Sequence, residues 1–255
     1  MGNEHFDFKQ FNIRQDQCAM KVGTDGVLLG AWFSLKTCIE NCKDTEATCH
    51  ILDIGTGTGL IALMAAQRSS SYNIIYNVEA IEIDAIAAHQ AKENIMVSPW
   101  KDKILVINAS LQEYADREET KDKQYDIIVS NPPFYNATLK PEDEARAVAR
   151  HKDSLPLTEI THFAYKHLSK NGELSLIYPT NYDSEVMTSA ILAGLHVIRI
   201  CDVVTKKGKP CKRRMATFAL KSHPKQDIER QTLYLRDEAG EYTQEYRALT
   251  EDFYL

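Results

Sequence analysis

The 255-residue chain is predicted to fold as an α/β protein: a seven-stranded, mostly parallel sheet with one antiparallel strand and helices on both faces. Three observations predict this. From residue 51 onward, short apolar runs of strand length alternate with longer runs of helical period. The first, Ile51-Leu52-Asp53-Ile54, ends in the turn Gly55-Thr56-Gly57-Thr58-Gly59 and opens directly into the helical pattern Leu60 to Ala66. The fourth, Tyr125 to Ser130, ends in Asn131-Pro132-Pro133-Phe134. There two consecutive prolines fix φ and remove two backbone donors, so the chain leaves the sheet stiffly with carbonyl oxygens exposed.

In chain order, the pattern predicts a polar start, a helical block over 26 to 37 and a polar connector over 41 to 48. Strand 51–54, helix 59–68, strand 76–82, helix 85–97, strand 103–108 and strand 125–130 then form the first half of the sheet. Residues 138–153 are charge-rich and without period. Helix 157–168 is expected to stop at Asn171-Gly172. Strand 173–179, helix 183–193, strand 195–204 and strand 214–220 complete the sheet, the last two as a hairpin around 206 to 213. One domain covers 1–255, with 1–50 and 222–255 as additions at its ends. Glu79 reads as a charge at a strand edge.

The glycine turn is the first β-turn-α of a Rossmann-like sheet, where glycines allow tight turning and close approach of a ligand. A dinucleotide fingerprint requires glycine three residues after Gly57, and Leu60 stands there. An acidic residue before the glycines suits a cation better than a pyrophosphate, which points to S-adenosylmethionine with Asp53 near its methionine end. Glu82, closing the second strand, sits where a carboxylate grips ribose hydroxyls, and Asp84 is placed to cap the next helix. At the fourth strand end, the Asn131 amide oxygen and Pro132 carbonyl form a pair of acceptors for one planar NH2 group, with Phe134 placed to stack on the ring that carries it.

The opening block, Phe11-x-Ile13-x-Gln15 followed by Cys18 to Trp32, and the ending Tyr242-Thr243, Glu245-Tyr246, Leu249-Thr250, Asp252-Phe253-Tyr254 complete a resemblance to the bacterial valine-tRNA adenine N6-methyltransferases. These are class I S-adenosylmethionine-dependent methyltransferases, and the resemblance spans nearly the whole chain. It implies methylation of an anticodon-adjacent adenine in tRNA, with Asn131, Pro132, Pro133 and Phe134 as the catalytic motif. It implies that 1–50 closes over the cofactor, placing Lys21, Thr24 and Asp25 at its methionine end. The glycine turn (Asp53, Gly55, Thr56, Gly57, Gly59) and Glu82, with Ile83 beside it, are expected to hold methionine and ribose. The third strand is expected to end at the adenine. Many relatives place an aspartate there, but this chain has Asn108-Ala109-Ser110, leaving the contact to the Ala109 backbone or to Ser110. Rival readings are guanine N2-methylation of ribosomal RNA, N5-methylation of a release-factor glutamine, and an RNA-binding protein with a decayed cofactor site.

The formal net charge of −6 is unusual for a nucleic-acid enzyme, but local charge decides. Lys206, Lys207, Lys209, Lys212, Arg213 and Arg214 put six cations into nine residues at the predicted hairpin tip and are candidates for RNA binding. Lys140, Arg146, Arg150, His151 and Lys152 form a second group. No membrane span or signal peptide is read, so a cytoplasmic protein is expected. Its six cysteines, Cys18, Cys38, Cys42, Cys49, Cys201 and Cys211, are expected to be reduced. Cys38, Cys42, Cys49 and His50 invite a zinc reading, but no Cys-x-x-Cys pair supports one, and no metal is expected.

Overall fold

The computed structural model describes residues 4–18, 20–42, 46–134, 155–222 and 227–255. A small antiparallel pair, β1 (His5–Asp7) and β2 (Asn12–Arg14), precedes helices α1 (Thr24–Trp32) and α2 (Lys36–Cys42). Then come β3 (Thr48–Ile54), α3 (Leu60–Ser71), β4 (Ile75–Glu82), α4 (Ala85–Met96), β5 (Ile104–Asn108), α5 (Leu111–Ala115) and β6 (Tyr125–Ser130). After the stretch outside the described residues follow α6 (Leu157–His167), β7 (Leu168–Pro179), a 3-10 turn (Thr180–Tyr182), α7 (Asp183–Ala193), β8 (Leu195–Lys206), β9 (Arg213–Leu220), β10 (Glu229–Arg236) and α8 (Gln244–Thr250).

The main sheet has the order β10-β8-β9-β7-β6-β3-β4-β5. Strand β9 alone runs against its neighbours β7 and β8. One buried cluster joins the N-terminal segment, α1, α3 and α4 to one face of the sheet, and a second joins α5, α6 and α7 to the other. Strands β3, β4, β5, β6 and β7 run parallel and so present their carboxyl ends along one edge.

Four expectations need correction. The sheet has eight strands, because β10 pairs in parallel with β8. Only Leu233 of that edge strand is buried, so its sequence carries no alternating apolar signal. Helix α6 stops at His167 rather than at Asn171-Gly172. Gly172 belongs to β7, where an added Cβ would meet the Tyr125 carbonyl oxygen at 2.6 Å, so close strand approach fixes the glycine there. Glu79 lies on β4, inside the sheet, and accepts hydrogen bonds from Tyr125 Oη at 2.7 Å, Tyr114 Oη at 3.0 Å and Lys123 Nζ at 2.6 Å. Burial opposes its charge, but those donors outweigh it and hold the carboxyl below its ordinary range. The fourth correction concerns the thiols. Cys38 on α2 and Cys49 on β3 face each other with Cα atoms 5.4 Å apart and are joined in a disulfide. Ligand atoms of Cys38, Cys49 and Asp126 lie within 4.8 Å of one another, so the zinc reading has a geometric basis only with that bond opened. Among the described residues, no helix is long and apolar enough to cross a membrane.

The two end blocks of the sequence meet in space. Phe8 stacks on Phe11 at 4.7 Å and on Tyr254 at 6.0 Å, Lys9 N donates to Phe253 O at 2.8 Å, and Gln67 Nε2 reaches Asp252 O at 2.8 Å. The C-terminal extension thus clamps the start of the N-terminal cover.

Candidate active site

Two buried amides on α4 hold the N-terminal segment in place over the sheet edge. Asn94 accepts from Arg14 N at 2.9 Å and donates to Arg14 O and Thr58 O at 3.0 and 2.9 Å. Gln90 accepts from Cys18 N at 3.1 Å and donates to Asp16 at 2.8 Å, while Gln15 Oε1 takes Val22 N at 2.7 Å. These bonds satisfy buried polar groups and deliver residues 20–26 to the rim of a cleft.

The cleft has two halves that share Met20, Gly55, Gly57, Asn131, Pro132 and Pro133. One, of about 460 Å³, is walled by Lys21, Thr24, Asp25, Thr56, Phe134, Tyr178, Pro179 and Arg213. The other, of about 450 Å³, is walled by Ile81, Glu82, Ile83, Asp84, Ala109, Ser110, Leu111 and Leu155. Both volumes are in the range of small-molecule sites.

The glycine turn forms the floor between them. Gly55 and Gly57 adopt φ of 73° and 56°, a left-handed conformation that glycine takes without strain, and no atom lies within 4 Å of the Cβ that either would carry. The space over them is therefore open to a ligand. Gly59, φ 86°, does not line the cleft; it starts α3 and packs against Ala91 and Ile95 of α4. Asp53 is fully buried beneath the turn, where Oδ2 accepts from Thr56 Oγ1 at 2.6 Å and Oδ1 has no partner. Burial pushes its carboxyl up to about 7. It lines neither half of the cleft and lies under the turn, although charge alone would put it beside a ligand's cationic end. A carboxylate that does line the first half is Asp25, whose Oδ2 accepts from Arg213 Nε at 2.8 Å.

Glu82 closes β4 with its carboxylate spread between two backbone donors, Gly57 N to Oε2 at 2.8 Å and Asp84 N to Oε1 at 3.0 Å. Asp84 caps α4 through Ile86 N and Ala87 N at 2.8 and 3.0 Å. At the end of β5, Asn108 Nδ2 donates to Glu82 O and Ile83 O at 2.8 and 3.1 Å. An aspartate has no such donor, which explains the amide at this position. Ser110 and Glu113 form a capping box on α5 that occupies the Ser110 hydroxyl and backbone N–H, and Ala109 N is bonded to Glu82 O at 3.0 Å.

Asn131, Pro132 and Pro133 line both halves and so stand at the seam. Phe134 is half-buried against Tyr182, ring centroids 4.9 Å apart, and Tyr178 at 6.3 Å. Tyr178 donates to Asp183 Oδ1 at 3.0 Å; burial and that carboxylate hold its phenol far above the ordinary range. Sequence reasoning missed the Tyr178-Pro179 wall and the α5 cap. The first was findable as the end of the strand beside β6, the second as Ser-x-x-Glu ahead of an apolar run.

The cation-rich hairpin does stand on the cleft edge, since β8 ends and β9 begins there, with Pro179 of β7 opposite Arg213. Its six cations are not equivalent. Arg214 is held between Asp183 and Asp202, each at 2.7 Å, and Lys206 donates to Glu238 O at 2.7 Å. Arg213 lines the cleft, while Lys207, Lys209 and Lys212 are exposed. The second cationic group, 140 to 152, lies outside the described residues.

A family model described as Methyltransferase small domain matches residues 35–208. A Trichodesmium erythraeum protein named tRNA1(Val) (adenine(37)-N6)-methyltransferase is 44% identical over 255 residues, covering all of this chain and 99% of its own. A protein of the same name from Bacteroides thetaiotaomicron is 41% identical with the same coverage. Among solved structures, one described as a predicted O-methyltransferase from Agrobacterium tumefaciens matches with a TM-score of 0.61 at 17% identity, covering 90% of this chain and 96% of that one. The glycopeptide N-methyltransferase MtfA, solved with S-adenosylmethionine, matches at 0.51 and 12% identity, covering 78% of this chain and 100% of that one. At such identities these structures speak to the fold alone. With a family model over more than half its length and full-length relatives above 40% identity, the chain belongs to the tRNA1(Val) (adenine(37)-N6)-methyltransferases, class I enzymes that use S-adenosylmethionine.

Proposed function

We propose that the protein methylates N6 of the adenine at position 37 of a valine tRNA, in the cytoplasm, with the chemistry centred on Asn131-Pro132-Pro133-Phe134. The observation that carries this reading is the position of that turn, on the seam between the two halves of the cleft. The residues fit the cofactor: an open floor over Gly55 and Gly57, a fixed carboxylate at Glu82 for the ribose, and apolar walls at Ile83 and Leu111 for the adenine. Lys21, Thr24 and Asp25 would hold the methionine end. When bound, S-adenosylmethionine supplies a methyl group made electrophilic by its sulfonium.

The adenine amine is a weak nucleophile because its lone pair is delocalised into the ring. Asn131 Oδ1 and the Pro132 carbonyl would each accept one N–H, turn the lone pair toward the methyl group and stabilise the positive charge that grows on nitrogen during attack. The prolines hold those acceptors in place without reorganisation. Phe134, braced by Tyr182, would stack on the base once it has left its neighbours in the RNA. No strong base is required, because the product ammonium readily loses its proton to water.

Radiolabelled methyl transfer to tRNA, ribosomal RNA, DNA and release factor in parallel, followed by nucleoside analysis, tests the proposal. N6-methyladenosine in tRNA is the expected product. Methylguanosine from ribosomal RNA, or label in the release factor, would replace this reading with one of its rivals.

A further inference from the structure

We propose that the reduced protein holds a tetrahedral zinc ion on Cys38, Cys42, Cys49 and Asp126, at the amino ends of β3 and β6 and so away from the catalytic cleft. Three of these ligands already converge: one ligand atom each from Cys38 on α2, Cys49 on β3 and Asp126 on β6 lie within 4.8 Å of one another. Among the described residues, no other group of three His, Cys, Asp or Glu side chains does so. A single ion about 2.3 Å from each thiolate sets its ligand atoms about 3.8 Å apart, so the space suits one ion rather than an iron–sulfur cluster.

The fourth ligand comes from the next turn of α2. Cys38 and Cys42 are four residues apart and both buried, so they share the face of the helix that packs on the sheet. Cys42 Sγ lies 4.0 Å from the carbonyl oxygen of Ile75, the neighbour of Tyr76, which pairs with Cys49 in the ladder. Burial raises the Cys42 thiol, the Asp126 carboxylate pushes it the same way, and a hydrogen bond with the Cys49 backbone opposes both. Cys42 thus already feels the carboxylate that a shared ion would neutralise. His50, a ligand in the set that the sequence suggests, is exposed and stands outside the group, and Asp126 takes its place.

Asp126 is oriented as outer hydrogen bonds orient a metal ligand: Oδ2 accepts from His50 N at 3.0 Å and Oδ1 from Ser169 Oγ at 2.8 Å. A carboxylate beside cysteines resists their ionisation, and a divalent cation reverses this by pairing with all of them at once. In the oxidised chain the Cys38–Cys49 disulfide occupies two of the four positions. A dithiol reductant opens it by exchange: the reductant becomes a disulfide, and its two electrons and two protons pass to Cys38 and Cys49. Zinc then displaces those two protons and the proton of Cys42 into water, forming three Zn–S bonds and one Zn–O bond. With four protein ligands and no open position the ion is structural. It ties α2 to β3, whose other end leads into the glycine turn of the cleft.

The test is titration of the full-length protein, reduced with a phosphine under argon, with Co2+ and then with Zn2+ as competitor. The expected result is the ligand-field absorption of a tetrahedral ion with sulfur-to-metal charge transfer, saturating at one Co2+ per chain and bleached by Zn2+. The disulfide form should show neither. Cys42→Ser should lower the charge-transfer intensity by about one third, one thiolate of three. Asp126→Asn, which keeps an acceptor for His50 N, should weaken binding by about ten-fold or more. Cys211→Ser, on the distant hairpin, should leave the bands as they are. Absence of tetrahedral bands in the reduced parent, their survival in Cys38→Ser or at full strength in Cys42→Ser, their loss in Cys211→Ser, or parental affinity in Asp126→Asn overturns the site. The Asp126→Asn comparison decides the matter even where a cysteine variant fails to fold. The readout is independent of methyl transfer, so failure of the proposed activity would leave it intact.

Discussion

The two halves of the cleft are built in opposite ways. The half proposed for the adenosine is enclosed largely by two short stretches, residues 81–87 at the end of β4 and 109–112 after β5, and its walls are mostly apolar, with Glu82, Asp84, Ser110, Gln112 and Asn131 as the polar residues. The half proposed for methionine and substrate is assembled from distant parts of the chain: Lys21 to Asp25, the Tyr178-Pro179 end of β7, and Arg213 at the start of β9. Its main ion pair, Asp25 with Arg213, joins residues 188 positions apart. One half is framed by neighbouring turns of local sequence; the other carries charges whose positions depend on the whole fold. Substitutions in the first should therefore affect cofactor affinity, and those in the second turnover and substrate binding.

Asn131, which borders both halves, provides the largest expected effect. Asn131→Ala should lower kcat by about 2 to 4 kcal/mol of barrier, by analogy with removal of an oxyanion-hole donor, with the cofactor Kd nearly unchanged. Steady-state methylation of tRNA beside calorimetric titration of cofactor separates the two. Parental turnover in the variant would remove Asn131 from the chemistry; a matching loss of cofactor affinity would place it in the adenosine half.

Glu82→Gln probes the locally framed half. The carboxylate accepts from Gly57 N and Asp84 N, and an amide must turn its NH2 toward one of those donors. We expect cofactor affinity to fall by about 1.5 to 3 kcal/mol, while kcat at saturating cofactor stays close to parental. A kcat defect that saturating cofactor does not rescue would break the division of labour between the halves.

What can be read from sequence follows the same division. The strand-turn-helix units, the glycine floor, Glu82 and the Asn131 turn are local patterns, and β3, α3, β4, α4 and β6 are legible to within a few residues. The strand pairings that bring Tyr178 and Arg213 to the cleft have no local signature. Neither does the partnering of charges: Lys207 and Arg214 look alike in the sequence, yet one is exposed and the other sits between two aspartates. Sequence alone puts Asp53 at the turn but on the wrong side of it, because whether a strand residue faces ligand or core depends on what packs beneath.

Asp53 leads to a pH prediction that sharpens the distinction between floor and wall. Burial raises its pKa in the folded chain from 3.8 to about 7. A raised acid adds stability that is fully present below the unfolded pKa and is lost as pH rises through the folded one. The stability of the parent relative to Asp53→Asn should accordingly decline between pH 4 and pH 8, by on the order of 4 kcal/mol, in urea unfolding at each pH. A flat difference would mean that Asp53 ionises as it does in water. As a floor residue, its substitution should also change cofactor affinity less than Glu82→Gln does; a larger loss would return Asp53 to the methionine end.

The smallest effect is expected at the hairpin, where it tests the charge-based half directly. Arg214 is unsuitable because its removal leaves Asp183 and Asp202 without their cation, and Arg213 because it also binds Asp25. Lys207, Lys209 and Lys212 are exposed on the cleft edge and, among the described residues, have no such ion pair. Replacing each with glutamine should leave folding and cofactor affinity unchanged and flatten the dependence of log K for tRNA on log salt by about 0.7 to 0.9 for each phosphate that no longer meets a cation. An unaltered slope would take the hairpin off the path of the RNA. The methionine half would then owe its substrate selection to Arg213 and the Asn131 turn, with the surrounding lysines serving only to keep the sheet edge soluble.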